Sequence, residues 1–296
     1  MEAYTDFAQV YDEFMDETPY EDWCEFLVEM LDKYGVSRET EDKKCHINDM
    51  SVIEEKRYGD TEGRLEASKR TTADDQEIRN LRQERNTILD LGCGTGTLTE
   101  LLARKGYDMI GVDNAQEMLQ IAIQKREKSG LDILYLLQDM REFELYGTVG
   151  AVVSVCDCLN YLLEEEDILQ TFCLVRNYLY PGGIFIFDFN TVYKYADVIG
   201  DTTIAENRED CSFIWENYYH EAEEINEYDL TIFARDEGEE RFHRFQETHY
   251  QRGYRLEQMC RLVREAGLSV LETLDADTHG AVTQGSERVY VVAKKG

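Results

Sequence analysis

The sequence predicts an α/β protein with a seven-stranded, mostly parallel sheet flanked by helices and a small antiparallel β-subdomain inserted after the fifth strand. Short apolar runs alternate with helical patterns between residues 88 and 190, and this alternation is typical of a parallel sheet. A glycine-rich turn joins the first apolar run to the first helical pattern. Between residues 200 and 250, successive strand patterns are joined by short acidic turns, which indicates an antiparallel meander.

The first 34 residues predict a helical lid, made of one helix in Tyr4–Glu17 and a second in Tyr20–Tyr34, separated at Pro19. Apolar side chains recur at helical spacing in the first helix, and they are Tyr4, Phe7, Tyr11 and Phe14. Such a stripe packs one face of a helix on the core of a protein.

Residues 35–86 are a charged segment between the predicted lid and the first strand. From residue 37 the segment is rich in Lys, Arg, Glu and Asp, and Tyr58 is its only aromatic residue. A segment of this composition buries too little apolar surface to form a core of its own. We predict an insertion that is partly helical or disordered. A tolerated surface insertion is favoured over a partner surface or a cover for the substrate.

The most informative segment is the turn after the first predicted strand, which begins at Ile88. Three glycines follow the strand, Gly92, Gly94 and Gly96, and a helical pattern starts at Thr97. Glycines here let backbone N–H groups approach a ligand, so a nucleotide-like molecule is expected at the carboxyl end of the strand. The spacing departs from the dinucleotide pattern G-x-G-x-x-G, since Thr97 stands where the third glycine belongs. Asp90, inside the turn, would repel a pyrophosphate and suit a cationic ligand.

The later elements follow in the order of a wound α/β sheet. Further strands of the main sheet are predicted near Ile110, Leu134, Val152 and Phe185, and then at Leu268–Leu274 and Arg288–Ala293, one of these two antiparallel. Helices are predicted at Leu98–Lys105, Gln116–Lys128, Ile168–Leu179 and residues 254–266. The antiparallel strands are predicted at Ser212–His220, Ile225–Arg235 and Glu240–Gln251. The second strand ends at Asp113, where a carboxylate can accept hydrogen bonds from both hydroxyls of a ribose.

Residues 86–192 resemble the class I S-adenosylmethionine-dependent methyltransferases, of the small-molecule type with a β-subdomain insertion. The resemblance rests on Leu89–Gly96, on Asp113 followed by Asn114 and Met118-Leu119, on Leu136–Met140, on Val152–Tyr161, and on a Pro-Gly-Gly turn at residue 181. In the second of these motifs Asn114 replaces the usual serine. The family's fold is a Rossmann-like sheet. Its cofactor has an ammonium and a sulfonium but no phosphate, which agrees with the charge of Asp90.

The resemblance implies S-adenosyl-L-methionine as the cofactor and a set of residues that bind it. In the family, the positions of Asp113, Asp139 and Met118 lie near the ribose, the exocyclic amine and the adenine, and the aromatic residue at the Tyr11 position closes over the cofactor. The predicted cofactor residues are Tyr11, Asp90, Gly92, Cys93, Gly94, Gly96, Asp113, Asn114, Met118, Asp139, Met140 and Cys156.

Catalysis by this cofactor requires little from the protein beyond alignment, because the methyl group on a sulfonium is already electrophilic. The enzyme must orient a nucleophile and exclude water. It needs a general base only when the nucleophile arrives protonated. The candidate catalytic residues are Asp157, Asn160, Tyr161, His249 and Arg244. Arg244 and Arg252 would either hold a substrate carboxylate or pair with the many surrounding carboxylates. The aromatic residues of the β-subdomain either line a substrate pocket or seal the small sheet to the core.

Composition limits the partners and the location. The net charge of −31 opposes binding to nucleic acid and to anionic membranes. There is no apolar run long enough to span a bilayer and no signal peptide at Met1, so we expect a cytoplasmic protein. The eight cysteines suggest reduced thiols. Neither Cys156 and Cys158 nor Cys45-His46 has the spacing of a metal site, so no metal is predicted.

The resulting prediction has four segments: the lid at 1–34, the insertion at 35–86, a methyltransferase core at 87–195 and 252–296, and the β-subdomain at 196–251 over the substrate pocket. The predicted reaction transfers a methyl group to a nitrogen or oxygen of a small metabolite. Three alternatives stay open. One is a nicotinamide-dependent oxidoreductase, disfavoured by the spacing after Gly94. Another is a protein or RNA methyltransferase, of which the charge opposes RNA. The third is a non-catalytic domain that binds the cofactor as a sensor. The sequence leaves a monomer or a dimer equally open.

Overall fold

The computed structural model describes residues 7–35, 84–236 and 240–296, so the predicted insertion lies almost wholly outside the described residues. The strands are β1 Thr87–Leu91, β2 Asp108–Asp113, β3 Ile133–Leu137, β4 Val149–Ser154, β5 Leu179–Asn190, β6 Thr203–Asn207, β7 Cys211–His220, β8 Ile225–Arg235, β9 Phe242–Arg252, β10 Leu268–Asp275 and β11 Arg288–Lys295. The helices are α1 Ala8–Phe14, α2 Tyr20–Tyr34, α3 Thr97–Arg104, α4 Gln116–Ser129, α5 Glu165–Tyr178 and α6 Leu256–Glu265. No helix in these ranges is long and apolar enough to cross a membrane.

The main sheet has seven strands in the order β10-β11-β5-β4-β1-β2-β3. Strands β1, β2, β3, β4 and β5 pair in parallel, and β11 runs antiparallel to both of its neighbours. The predicted seven-stranded, mostly parallel sheet is therefore confirmed. The chain leaves β1 toward β2 on one side, while β4 lies on the other. The carboxyl ends of β1 and β4 thus flank the point at which the strand order reverses, which is where such sheets bind ligands.

The core has one layer of side chains on each face of this sheet. Strand β5 shows the division, because Phe185 and Phe187 pack with Phe172 of α5 on one face. Ile184 and Ile186 pack on the other face, with residues of α2 and α3. Successive side chains of a strand point to opposite faces, so a strand that is covered by helices on both sides is a continuous apolar run. That run is the signal that identified the central strands in the sequence.

The second sheet is antiparallel and has the order β6-β7-β8-β9. The three predicted strands are present, and the sequence reading missed β6. Almost all of β6 is exposed, and its residues are polar except Ile204 and Ala205. An edge strand with no buried face has no alternation of apolar and polar residues to reveal it.

Helix α1 lies between the two sheets. Val10 packs with Leu230 and Ile232 of the antiparallel sheet. Ala8 packs with Ala115 and Met118, at the beginning of α4 in the other half. Helix α1 is therefore packed on both units at once, and its position decides where Tyr11 lies.

Candidate active site

A cavity of about 700 Å³ lies at the carboxyl ends of β1, β2 and β4. Tyr11 of α1 and Tyr20 and Trp23 of α2 cover one side of it. The predicted cofactor residues that line the cavity are Tyr11, Asp90, Gly92, Cys93, Gly94, Asp113, Asn114, Met118, Asp139, Met140 and Cys156. The structure therefore brings together residues that are spread over nearly 150 positions of the sequence, and Gly96 is the one predicted cofactor residue that does not line the cavity.

The three glycines of the turn are required for different structural reasons. All three have positive φ, with values of 85° at Gly92, 53° at Gly94 and 75° at Gly96. A Cβ on Gly92 would lie 2.6 Å from Sγ of Cys158, and one on Gly96 would lie 2.3 Å from the hydroxyl oxygen of Tyr135. A Cβ on Gly94 would meet nothing within 4 Å. Gly96 thus serves the packing of the turn, and its contact with the cofactor stays a prediction. Gly94 faces open space in the cavity.

Two carboxylates sit under the turn. Asp113 accepts the backbone N–H of Gly94 at 2.8 Å and that of Ala115 at 2.9 Å, and burial raises the pKa of its carboxyl above the ordinary range. Asp90 accepts a hydrogen bond from the Thr99 hydroxyl at 2.6 Å, and burial raises the pKa of Asp90 to about 7. Burial disfavours the charged form of an acid, and a cation in the cavity would favour it. This end of the cavity is therefore suited to a positively charged ligand.

The opposite wall contains Asp139 and Arg141. The Arg141 guanidinium donates to both oxygens of Asp139, at 2.9 Å and 2.6 Å, and these bonds lower the pKa of the Asp139 carboxyl. Arg141 also lies 3.3 Å from Asp167. A bidentate contact fixes the plane of the carboxylate relative to that of the guanidinium. Asp139 is therefore ionised and held in one orientation at the edge of the cavity.

The thiols of the cavity are neutral. Burial raises the pKa values of Cys93, Cys156 and Cys158 above that of an ordinary thiol. A thiol in this state is a weak nucleophile and packs as a small apolar group. These cysteines therefore line the cavity as apolar groups. Among the residues that the structure describes, no cluster of His, Cys, Asp and Glu could hold a metal ion.

A strained turn follows β4, and sequence reasoning missed the pair of residues that supports it. Cys156 and Asp157 have φ values of 71° and 52°, which are unusual for residues other than glycine. Both backbone N–H groups donate to the buried Asp188 carboxylate, at 3.0 Å and 2.9 Å. Arg288 lies 3.5 Å from Asp188 and stacks 4.4 Å from the ring centre of Trp23. Asp188, paired with Arg288, therefore fixes the backbone conformation in which Cys156 faces the cavity.

The predicted catalytic residues separate into two groups. Tyr161 lines the cavity. Its hydroxyl lies 2.8 Å from the hydroxyl of Tyr228 and 3.1 Å from Nδ1 of His249. His249 is buried and its ring stacks on Tyr228 with centres 4.9 Å apart. His249 does not line the cavity itself, so it reaches a substrate only through Tyr161.

Asn160 and Asp157 make contacts within the fold, and their catalytic roles stay predictions. Asn160 is fully buried, donates to the carbonyls of Asn190 and Arg252 at 2.9 Å and 2.6 Å, and accepts the N–H of Asn190 at 2.8 Å. Its amide joins the end of β5 to the end of β9. Asp157 accepts a hydrogen bond from Gln251 at 2.6 Å and does not line the cavity.

The predicted arginine anchors also turn away from the cavity. Arg244 contacts Gln246 at 3.2 Å, and Arg252 donates to the carbonyl of Leu163 at 2.7 Å. Arg244 and His249 lie on the same strand, an odd number of residues apart, and therefore point to opposite faces of the sheet. Since His249 points inward, Arg244 must lie on the outer face.

Comparisons with known proteins identify methyltransferases. A family model described as a methyltransferase domain matches residues 88–183. The chain is 33% identical over 294 residues to a protein of Geobacillus sp. (strain WCH70) with a provisional methyltransferase name, which covers 99% of this chain and 100% of that one. It is 31% identical to the YqeM protein of Bacillus subtilis (strain 168), also provisionally named a methyltransferase, over 99% of this chain and 97% of that one.

One solved structure superimposes over the whole molecule. It is the crystal structure of an S-adenosylmethionine-dependent methyltransferase from Clostridium acetobutylicum ATCC 824, with a TM-score of 0.76, 25% identity and full coverage of both chains. The sheet order, the glycine turn and the carboxylate at the end of β2 define an α/β domain that binds S-adenosylmethionine. The chain belongs to the S-adenosylmethionine-dependent methyltransferases.

The residues present fit that cofactor. The backbone of Gly94, which has no Cβ, faces open space. A nearby cation would stabilise the ionised forms of Asp90 and Asp113. Asp139 is fixed and ionised at the other end of the same cavity. A nicotinamide dinucleotide would instead place a pyrophosphate against the two buried carboxylates, which repel it.

Proposed function

We propose that this protein transfers the methyl group of S-adenosylmethionine to a nitrogen or oxygen of a small metabolite whose acceptor part has no anionic group. The observation that supports this best is the cavity itself. It has a volume of about 700 Å³ and is covered by Tyr11, Tyr20 and Trp23. Sites for small molecules usually have volumes between roughly 300 and 1,000 Å³.

The cover over the cavity favours a small acceptor over a macromolecule. Helix α1 is held by polar contacts as well as by apolar packing. Its Asp12 accepts a hydrogen bond from the Thr95 hydroxyl at 2.7 Å and pairs with Lys125 at 2.6 Å. A polypeptide or an RNA strand would have to displace this helix to reach the methyl group. The net charge of −31 opposes RNA further. We therefore assign α1 and α2 the role of a lid over the substrate.

The charge of the walls limits the acceptor. Arg141 is the only cationic side chain among the described residues that line the cavity, and Asp139 and Asp167 already pair with it. The other charged lining residues are acidic: Asp90, Asp113, Glu117 and Asp139. A carboxylate or phosphate on the acceptor would be desolvated here without a partner, which is costly. A neutral or cationic acceptor avoids that cost.

The bound cofactor supplies an electrophilic methyl group. In this proposal Asp113 accepts hydrogen bonds from the ribose hydroxyls and Asp139 accepts one from the adenine amine. The side chains over the cavity exclude water, and Tyr161 is the residue that faces the acceptor. Alignment of an acceptor within the closed cavity supplies most of the rate enhancement.

Two partial relatives have names that describe methyl transfer to small molecules, whereas a third, the protein arginine N-methyltransferase 1 of Dictyostelium discoideum, is 33% identical over 167 residues. The ubiquinone biosynthesis O-methyltransferase of Ruegeria pomeroyi is 34% identical over 104 residues, or 33% of this chain. A dTDP-3-amino-3,4,6-trideoxy-α-D-glucopyranose N,N-dimethyltransferase of Streptomyces venezuelae is 29% identical over 109 residues, or 37% of this chain. These two proteins differ in the atom methylated, so the proposal includes both nitrogen and oxygen.

The test is to incubate the purified protein with methyl-labelled S-adenosylmethionine and a cell extract, and then to separate small molecules, protein and RNA before counting. The proposal expects label in the small-molecule fraction, and a panel of neutral and cationic amines, phenols and alcohols then identifies the acceptor class. Label in protein or RNA would contradict a small acceptor. Tight cofactor binding without any product would instead indicate a sensor. Asp113→Ala is the inactive control, and Asp132→Ala, an exposed change in the loop before β3, is the matched active one.

A further inference from the structure

Helix α1 makes unequal apolar contacts with the two sheets that it lies between. Three side chains at its start and along it pack in one cluster with residues of β7, β8 and β9, and they are Phe7, Val10 and Phe14. The backbone N–H of Phe7 also donates to Glu247 of β9 at 3.0 Å. On the side of the main sheet, the apolar contact comes from Ala8 and the partly buried Tyr11. Apolar attraction grows with the area buried, so we expect α1 to be held more firmly to the antiparallel sheet than to the main sheet.

Asp12 supplies polar contacts on the side of the main sheet. Its Oδ1 accepts a hydrogen bond from the Thr95 hydroxyl at 2.7 Å, and its Oδ2 lies 2.6 Å from Nζ of Lys125 on α4. Nζ of Lys125 also donates to the hydroxyl oxygens of Thr95 at 3.1 Å and Thr97 at 2.8 Å. Thr95 lies within the glycine turn, and both threonines line the cavity. One side chain of the lid is therefore bonded directly to the turn that faces the cofactor.

We propose that Asp12 is a positioning residue that acts as a latch: it fastens α1 to the glycine turn and to α4, and the cofactor and its product exchange when this latch opens. Helix α1 then separates from the main sheet and stays packed on the antiparallel sheet. Tyr11 precedes Asp12 in α1 and lines the cavity, so this movement uncovers the cavity on one side. The inference rests on the cofactor and holds for any methyl acceptor.

The latch is reversible because water reaches it. The side chain of Asp12 is 38% exposed and that of Lys125 is 26% exposed. Water and salt compete for both partners, so such a pair is much weaker than a buried one. Helix α2 is held differently, and its buried side chains are Trp23, Cys24, Phe26, Leu27, Met30 and Leu31. The moving part of the cover is therefore α1, while α2 stays in place.

The latch should control the rates of exchange more than the affinity. Its ion pair is made by Asp12 and Lys125, neither of which lines the cavity, so the pair forms whether or not the cofactor is bound. A contact that is equally strong in two states does not change the equilibrium between them. It does raise the barrier to opening. Loss of the latch should therefore accelerate binding and release together.

Two ion pairs on opposite sides of the lid supply a matched comparison. Asp12→Ala removes the contacts with Thr95 and Lys125. Asp16→Ala is the same change two residues beyond α1, where Asp16 lies 2.9 Å from Arg208 in the turn before β7. The side chain of Asp16 is 58% exposed. Both substitutions are therefore expected to leave thermal stability nearly unchanged.

The readout is the binding of S-adenosylhomocysteine in stopped-flow tryptophan fluorescence, with Trp23 in the cavity wall as the reporter. The dependence of the observed rate on ligand concentration gives both rate constants. Asp12→Ala should raise each of them about 3- to 10-fold, as expected for the loss of two polar contacts near the surface, and Kd should stay within about threefold. Asp16→Ala should leave both rate constants within about twofold. Unchanged rates in Asp12→Ala, faster release without faster binding, or the same increase in both variants would overturn the proposal.

A second comparison tests the partner of Asp12. Lys125→Ala should also accelerate both steps, whereas Lys128→Ala, an exposed change on the same helix, should not. If Asp12 and Lys125 form one latch, the double variant should have rates within about twofold of the faster single variant. Effects that multiply would mean that the two side chains act separately, and they would overturn the latch. This comparison also stands if Asp12→Ala does not fold, because Lys125→Ala alone must then show the acceleration.

Salt provides a further check on the ion pair. Raising the salt from about 0.05 M to about 0.5 M should accelerate both steps in wild type, because screening weakens the pair, and should have a much smaller effect in Asp12→Ala. An equal effect of salt on the two proteins would contradict the latch. Wild type that does not bind S-adenosylhomocysteine would refute the cofactor site, which is a separate outcome from normal rates in the variants.

Discussion

Binding of S-adenosylmethionine should release a proton from Asp90, and the affinity should therefore rise with pH near neutrality. Asp90 is buried beneath the glycine turn, and burial raises the pKa of its carboxyl to about 7. The raised pKa of Asp113 acts in the same direction. A cationic ligand favours the ionised carboxylate, so the pKa of Asp90 must fall when the cofactor binds.

The size of the effect follows from that pKa. A group with a pKa of about 7 is roughly 10% ionised at pH 6 and roughly 90% ionised at pH 8. If only the ionised form binds well, the affinity rises about tenfold between these values, or about 1.4 kcal/mol, and levels off above pH 8. The stability of the ligand-free protein should change with pH in the opposite direction. Because the pKa in the folded state lies above the ordinary value of 3.8, ionisation destabilises the ligand-free fold as the pH rises toward 7.

The assay is calorimetric titration at pH 6, 7 and 8, in buffers with different heats of ionisation, which also counts the released protons. About half a proton should be released per cofactor at pH 7. Asp90→Asn is the matched control, because its amide oxygen can still accept the Thr99 hydroxyl while nothing titrates; its affinity should vary much less with pH. An affinity that is equal at pH 6 and pH 8, or higher at pH 6, would refute the reasoning.

Three further predictions concern Gly96, Asp188 and Arg244. Gly96→Ala should lower stability by about 1–3 kcal/mol in thermal unfolding, because its Cβ would meet the Tyr135 hydroxyl at 2.3 Å and its φ is 75°; an unchanged Tm would contradict this. Asp188→Asn should lower the free energy of unfolding in denaturant by about 3–5 kcal/mol, because it leaves Arg288 buried without a charge partner. A decrease below about 1 kcal/mol would refute that role. Arg244→Ala should leave kcat and KM within about twofold, because Arg244 lies on the outer face, and a tenfold loss would place it at the site.

The sequence predicted the parts of the fold that rest on local signals. The central strands are buried on both faces, and so they appear as apolar runs in the printed chain. The glycine turn and Asp113 follow from the backbone positions that a ligand at a strand end requires. Strand β6 was missed because it has no buried face. The predicted insertion lies almost wholly outside the described residues.

The catalytic side of the site was harder to predict, and for a specific reason. Glu247 and Phe7 are 240 positions apart, and Asp188 and Arg288 meet only because β5 and β11 are neighbours. Pairings of that kind depend on strand order, which a single sequence does not reveal. The alternation of side chains along β9 places Arg244 and His249 on opposite faces of the sheet. Asn160 lies in the Val152–Tyr161 motif, and its amide makes three hydrogen bonds to backbone groups that no local pattern indicates.

The most direct test of the central claim is calorimetric titration of wild type, Asp113→Ala and Asp132→Ala with S-adenosylmethionine, beside NAD as a control ligand. Loss of charged hydrogen bonds to a ribose should cost about 3 kcal/mol or more, which is a factor of at least about 100 in affinity. We expect micromolar binding of S-adenosylmethionine to wild type and Asp132→Ala, a loss of that size in Asp113→Ala, and no binding of NAD. Binding of NAD in its place, or equal affinity in all three proteins, would contradict the assignment of this cavity.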